Sequence, residues 1–295
     1  FAVGLMLSRG PVGWLSDRRG RRLAMQVGLA AACLMPLAYA STHSLVWLGV
    51  FRVFHGLSIA AFATSYSALA ADLAPVAVRG EVLGYMSLAQ PLGLSLGPAM
   101  GDWLRQSLGY PWLFRIAALS AFLGGLVSLA VREPARPPTD SAVKSLPFWQ
   151  ILVSPRVRLP FLLLLAVGLV FGTLSTFLPL QVTAAGVNFS PGWFYTAAAI
   201  SSFTVRLTIA KWSDRLGRGV FVTIALCFYG LAMLGLSQAS QPWHFWACGF
   251  TEGVAGGIFI PSTIVILADR TQPAERATIL GWAWVGFDLG IALAG

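Results

Sequence analysis

Slid against itself by 197 residues without gaps, the chain repeats, and the repeat reaches into its polar connections. Arg9 falls on Arg206, Ser16-Asp17-Arg18 on Ser213-Asp214-Arg215, and Gly20-Arg21 on Gly217-Arg218. Further along, Gly56 meets Gly253, Asp72 meets Asp269, Arg79 meets Arg276, Gly84 meets Gly281 and Gly93 meets Gly290. Glycine matches alone arise by chance between apolar helices. Three charged connections in one register do not. The fold must therefore hold two copies of one structural unit, running in the same direction.

What fills the copies is apolar sequence. Hydrophobic residues make up 57% of the chain and charged ones only 11%, against about 25% charged in a soluble domain. So little charge cannot coat a 31.5 kDa globule with mean hydropathy +0.74, and lipid is the solvent that fits. Apolar runs near 1–15, 23–40, 45–71, 78–101, 111–131, 160–184, 190–210, 220–237, 242–268 and 277–295 suit membrane helices of about 20 residues, the first of them partial. The expectation is an all-α polytopic membrane protein, and parallel repeats of this kind occur in membrane transport proteins. The run at 160–184 finds its copy before residue 1, and the run at 111–131 after residue 295. That register predicts twelve spans in two pseudo-symmetric six-helix halves, of which about ten are present here. The expected division is 1–131 for the first half, 132–159 for a polar central linker and 160–295 for the second half. Within the linker, the short apolar run at 148–153 is expected to lie in the membrane interface.

Charge sets the orientation. Of the 20 Lys and Arg, fifteen lie in one alternating set of connections, two (Arg105 and Arg115) in the other, and three (Arg9, Arg52 and Arg206) inside spans. The rich set, central linker included, is expected to face the cytoplasm. The net charge of +9 is then a topology signal, not a nucleic-acid footprint.

Chemistry-bearing clusters are few. Cys33, Cys227 and Cys248 sit in apolar runs and read as packing residues. Three scattered histidines make no metal-ligand spacing, and no nucleophile–base arrangement stands out. Neither lysine lies in a phosphate-binding loop, so no ATP site is expected. An enzyme is therefore not expected, nor a cofactor, a metal or a nucleic-acid partner.

Asp17 and Arg21 are four apart, so in a helical loop they share a face. Asp72 ends the next-but-one run on the same side, and Asp214, Arg218 and Asp269 repeat the trio. Each trio can form an ion-pair network pinning helix ends, a role that mere topology anchoring would not require of the acids. The run Gly13-Trp-Leu-Ser-Asp17-Arg18-Arg-Gly20-Arg21-Arg22 resembles the signature loop between helices 2 and 3 of the major facilitator superfamily. Lys211-Trp-Ser-Asp214-Arg215-Leu-Gly217-Arg218 looks like its degenerate second copy. Arg52-Val-Phe-His55-Gly56 is similar to the family's helix 4 motif, with His where Gln is common, and Gly93-Leu-Ser-Leu-Gly97-Pro98-Ala-Met-Gly101 resembles the helix 5 motif of exporters and antiporters. The resemblance covers essentially the whole chain. It implies a fold of two six-helix bundles and a cytoplasmic gate built from the duplicated loops, with Asp17 capping the N-terminus of helix 11 near Arg276. Gly13 and Gly20 are expected to allow close backbone approach and a tight turn. Gly93, Gly97 and Gly101 are expected to form a packing face on helix 5, kinked at Pro98.

Ionisable groups at membrane depth are costly and mark function. Arg52, His55, Glu252 and Asp288 are the candidates for a central cavity and for proton coupling, His55 and Glu252 holding the same place in the two repeats. Arg52 is expected to tune the acids, while Arg9 and Arg206 are expected to brace the gate. The function implied is a secondary transporter, proton-coupled and exporting small organic molecules by alternating access. A proton symporter or facilitator for sugars or metabolites is the alternative, and a non-transporting receptor or enzyme a remote one. The expected setting is a bacterial inner membrane, as a monomer.

Overall fold

The computed structural model describes residues 1–133 and 154–295, except for the side chains of residues 91, 94, 95, 98, 99, 102, 155, 156 and 209–216 within their helices. The described residues are helical throughout: α1 (Ala2–Arg19), α2 (Arg21–Ala40), α3 (Leu45–Leu73), α4 (Arg79–Met86), α5 (Ala89–Leu108), α6 (Tyr110–Leu129), α7 (Pro155–Ala184), α8 (Pro191–Leu216), α9 (Arg218–Ser237), α10 (Pro242–Asp269) and α11 (Arg276–Ala294). The apolar segment at 148–153 lies outside the described residues.

Among the described residues seven helices are long and apolar enough to cross a bilayer, namely α2, α3, α6, α7, α9, α10 and α11. The other three expected spans, α1, α4 with α5, and α8, are diluted by polar residues. α1 and α8 carry the arginines Arg9 and Arg206 inside the helix.

The run expected at 78–101 as one span is two helices. The ladder breaks at Ser87 and Leu88 for local reasons. Ser87 turns its hydroxyl back onto the Gly84 carbonyl, 2.7 Å away, competing with the helix. Four residues on, Pro91 has no N–H for the Ser87 carbonyl.

The duplicated turns match in backbone as in sequence. Gly20 and Gly217 end α1 and α8 with φ of 120° and 92°, where an L side chain is strained. Proline starts α7, α8 and α10, where its missing N–H costs nothing.

Two compact units emerge, each drawing on both sequence halves: residues 1–73, 100–162 and 267–288 form one, and 74–99, 163–266 and 289–295 the other. In the first unit α3 packs along α1 and α2, and α2 along α6. Glycine sets the α1–α3 spacing, since a methyl on Gly56 would stand 2.6 Å from the Phe1 carbonyl oxygen. In the second unit α4 and α9 pack on α8. There a methyl on Gly253 of α10 would collide with the Ala198 carbonyl of α8, the same contact shifted by the repeat. A buried cluster of Leu174, Leu178, Phe194, Leu236 and Phe245 closes one end of this unit.

Candidate functional site

At the end carrying the basic connections, the first unit gathers a charged cluster from five chain segments. Arg21, 1% exposed, opens α2 directly after the Gly20 turn, which aims its side chain back under α1. Its Nε donates to Asp72 Oδ2 at 3.1 Å, another N–H to Asp17 Oδ1, and a third to the Pro273 carbonyl at 2.6 Å. Arg276 donates to the second oxygen of Asp72 and, at 3.0 Å, to the Ala268 carbonyl that ends α10. Asp17 also accepts the backbone N–H of Ala277 at 3.0 Å and of Thr278 at 2.7 Å. Those are orphan donors at the start of α11, so one carboxylate caps a helix and binds a guanidinium. Gly13 makes this possible: a methyl there would lie 2.6 Å from the Thr278 Cα.

The network ties the ends of α1, α2, α3 and α11. Buried charges are tolerable because nearly every lone pair and N–H is matched. Arg18 is elsewhere, with its guanidinium over the Trp14 ring at 5.7 Å. Glu133 was not expected here; its carboxylate accepts the Arg22 backbone N–H and caps α2. Of the second trio, the side chain of Asp214 lies outside the described residues, as does that of neighbouring Arg215, while Arg218 is half-buried and Asp269 exposed.

Two turns deeper along α1 lies a second buried pair. Arg9 and Asp288 are each 3% exposed, and Arg9 Nε stands 3.0 Å from Asp288 Oδ2. A second N–H reaches Oδ1 at 3.4 Å, and a third donates to Thr64 Oγ1 at 3.1 Å. The Trp284 ring sits 5.5 Å from the guanidinium, adding a cation–π contact. This corrects the expectation about cations. The partner of Asp288 is Arg9, which was expected to brace the gate, and not Arg52. Arg52 is exposed, stacks over Phe1 at 5.4 Å, and with Tyr39, His43, Tyr110 and Phe114 lines a cavity of about 540 Å³. His55 is half-buried and its Nδ1 shares a 2.9 Å hydrogen bond with the Tyr39 hydroxyl.

Glu252 belongs to the second unit. It is 7% exposed, and among the described residues no cation pairs with it. Tyr195 and Tyr229 lie close enough to feel its charge. In the same unit Arg206 donates to the Ser87 carbonyl at the α4–α5 break.

The helix 5 stripe behaves differently from the expectation that it packs. A methyl added at Gly93 or Gly97 would meet no described atom within 4 Å, and at Gly101 only Leu113 Cδ1, at 3.8 Å. Sequence spacing puts these residues on one face, and among the described residues no atom comes closer to it than the Leu113 methyl. The Pro98 side chain lies outside the described ones.

Comparison with known proteins is consistent with this architecture. The family model of the Major Facilitator Superfamily matches residues 1–295. The multi-drug resistance efflux pump PmrA of Streptococcus pneumoniae serotype 4 is 24% identical over 290 residues, covering 94% of this chain and 71% of its own. The multidrug resistance protein MdtG of Enterobacter lignolyticus is 25% identical over 274 residues, covering 90% of this chain and 65% of its own. Among solved structures, the human organic anion transporter MFSD10 superposes with a TM-score of 0.84 at 21% identity, covering 100% of this chain and 74% of its own.

Proposed function

The chain belongs to the major facilitator superfamily, a family of multi-pass membrane transporters, and from that premise we propose that it exports small organic molecules by exchange for protons. The observation that carries this is the buried Arg9–Asp288 pair. A carboxylate at membrane depth is the group that can take a proton there, and this one is bonded to the cation that ties α1 to α11. Protonating Asp288 removes the charge that holds Arg9 and loosens that seam. Unprotonated, the pair and the Asp17 cap together hold α1 against the start of α11. Glu252, buried and with no paired cation among the described residues, is a second acid able to load and release a proton within one cycle.

The cluster around Arg21 then acts as the cytoplasmic gate. It has to come apart when the carrier opens inward and re-form when it opens outward. The belt of basic connections supports a cytoplasmic placement for this gate and for the central linker, and the proposal sets the protein in a bacterial inner membrane as a monomer. Direction rests on the two relatives named for efflux or multidrug resistance. A proton symporter or facilitator for sugars or metabolites would use the same acids with the opposite vector.

The test is transport by the full-length protein in proteoliposomes under an imposed pH gradient, with amphiphilic drugs and sugars as cargo. Drug movement against the proton flow, at least ten-fold slower in Asp288→Asn or Glu252→Gln, is the expected result. Sugar uptake along with protons selects the alternative. Transport indifferent to the gradient ends the coupling proposal.

A further inference from the structure

Arg9 and Arg206 occupy the same place in the two repeats, yet they are compensated differently. Arg9 holds a carboxylate. The residue 197 places before Asp288 is Pro91, so the second copy has no acid where the first has Asp288. What stands near that place instead is the Ser87 carbonyl, which accepts the Gln90 N–H at 3.3 Å because Pro91 has none to offer, and Arg206 donates to it as well. Ser87 is the C-cap of α4, the negative end of a helix, but a helix end carries only about half a unit charge. Arg206 is 4% exposed, and its Nε has no hydrogen-bond partner among the described residues. No described carboxylate pairs with it, and the Tyr229 hydroxyl lies close enough to feel its charge. A buried guanidinium left with an orphan N–H and half a counter-charge is an expensive arrangement.

Arg206 lines a small cavity together with Gly80, Gly84, Phe221, Gly257 and Ser262. Ser262 is the other polar residue on its wall. The cavity, of about 20 Å³, has room for one particle of water or halide size. Water would satisfy the N–H but brings no charge. We infer that this cavity binds a single halide-sized anion, chloride under cellular conditions, as the counter-charge of Arg206. The anion takes the part in the α4–α8–α10 seam that Asp288 plays beside Arg9. The inference does not depend on the direction or coupling of transport.

The experiment is thermal unfolding of the full-length protein in detergent, at fixed pH and ionic strength, with chloride exchanged for gluconate. Saturating chloride is expected to raise the midpoint by roughly 2–4 °C over gluconate, with bromide equivalent. Arg206→Gln removes the cation and should abolish the difference between the two salts. Ser262→Val keeps the cation, fills the cavity and should abolish it too, which guards against a fold defect in the first variant. Crystals grown in bromide should show an anomalous peak within hydrogen-bond reach of the Arg206 guanidinium. Equal midpoints in chloride and gluconate would overturn the inference and leave water as the occupant. So would a chloride effect that survives both substitutions.

Discussion

Asp288 has its partner 279 positions away along the chain, and that separation governs both what the pair does and how visible it was. Removing one charge of a buried pair strands the other, at a cost of about 3–5 kcal/mol, whereas replacing both by apolar groups of similar volume is often neutral. Asp288→Asn should therefore lower the unfolding midpoint sharply, and the double replacement Arg9→Met with Asp288→Leu should recover most of the loss. Transport coupled to protons should stay absent in both. A double variant no more stable than the single one would show that Asp288 does not depend on Arg9. Asp17 and Arg21 could be found from sequence because their spacing is local and their copies repeat. Arg9 with Asp288 could not, since no spacing rule relates α1 to α11, whereas Arg52 stands out in sequence only by lying in a recognisable motif. Glu133 escaped notice for the same reason, its contact with α2 being 111 positions away.

Between helices, the repeat is legible as contact. Gly56 on Phe1 and Gly253 on Ala198 are one packing detail used twice, with no side chain between two helices at either place. Gly253→Val has to push α10 off α8, and overpacking of this kind costs about 1–3 kcal/mol or more. Gly49→Ala on α3, where a methyl would meet no described atom within 4 Å, should change stability by less than about 0.5 kcal/mol. Thermal unfolding of the two variants side by side checks both figures, and equal effects would mean that the α8–α10 contact is slack. Spacing alone could not tell these glycines from Gly93 and Gly97. A small-residue stripe says that a close approach is possible, and only the neighbouring helix says whether one occurs. The α4–α5 break was similarly hidden, because Ser87 and Pro91 each fit within a longer apolar run.

Across the whole chain, ten apolar runs are visible because lipid demands continuous stretches of apolar sequence, and the helices follow them apart from that break, some ends running up to seven residues further. Orientation is a separate matter, carried by the alternation of basic and neutral connections. If fifteen Lys and Arg mark the cytoplasmic face, then the connection after α2 and the one after α9 lie outside, and the one after α10 lies inside. In a background with Cys33, Cys227 and Cys248 replaced by Ala, Ser44→Cys and Ser240→Cys should react with a membrane-impermeant maleimide in intact cells. Gln272→Cys should react only after the cells are permeabilised. Ser44 and Ser240 sit in different repeats, so matched labelling also tests whether the repeats run in parallel. Labelling of one but not the other would break that parallel arrangement. The reverse pattern at all three positions would turn the Arg21 cluster to the outer face and make it the gate that opens to release substrate, not the one that admits it.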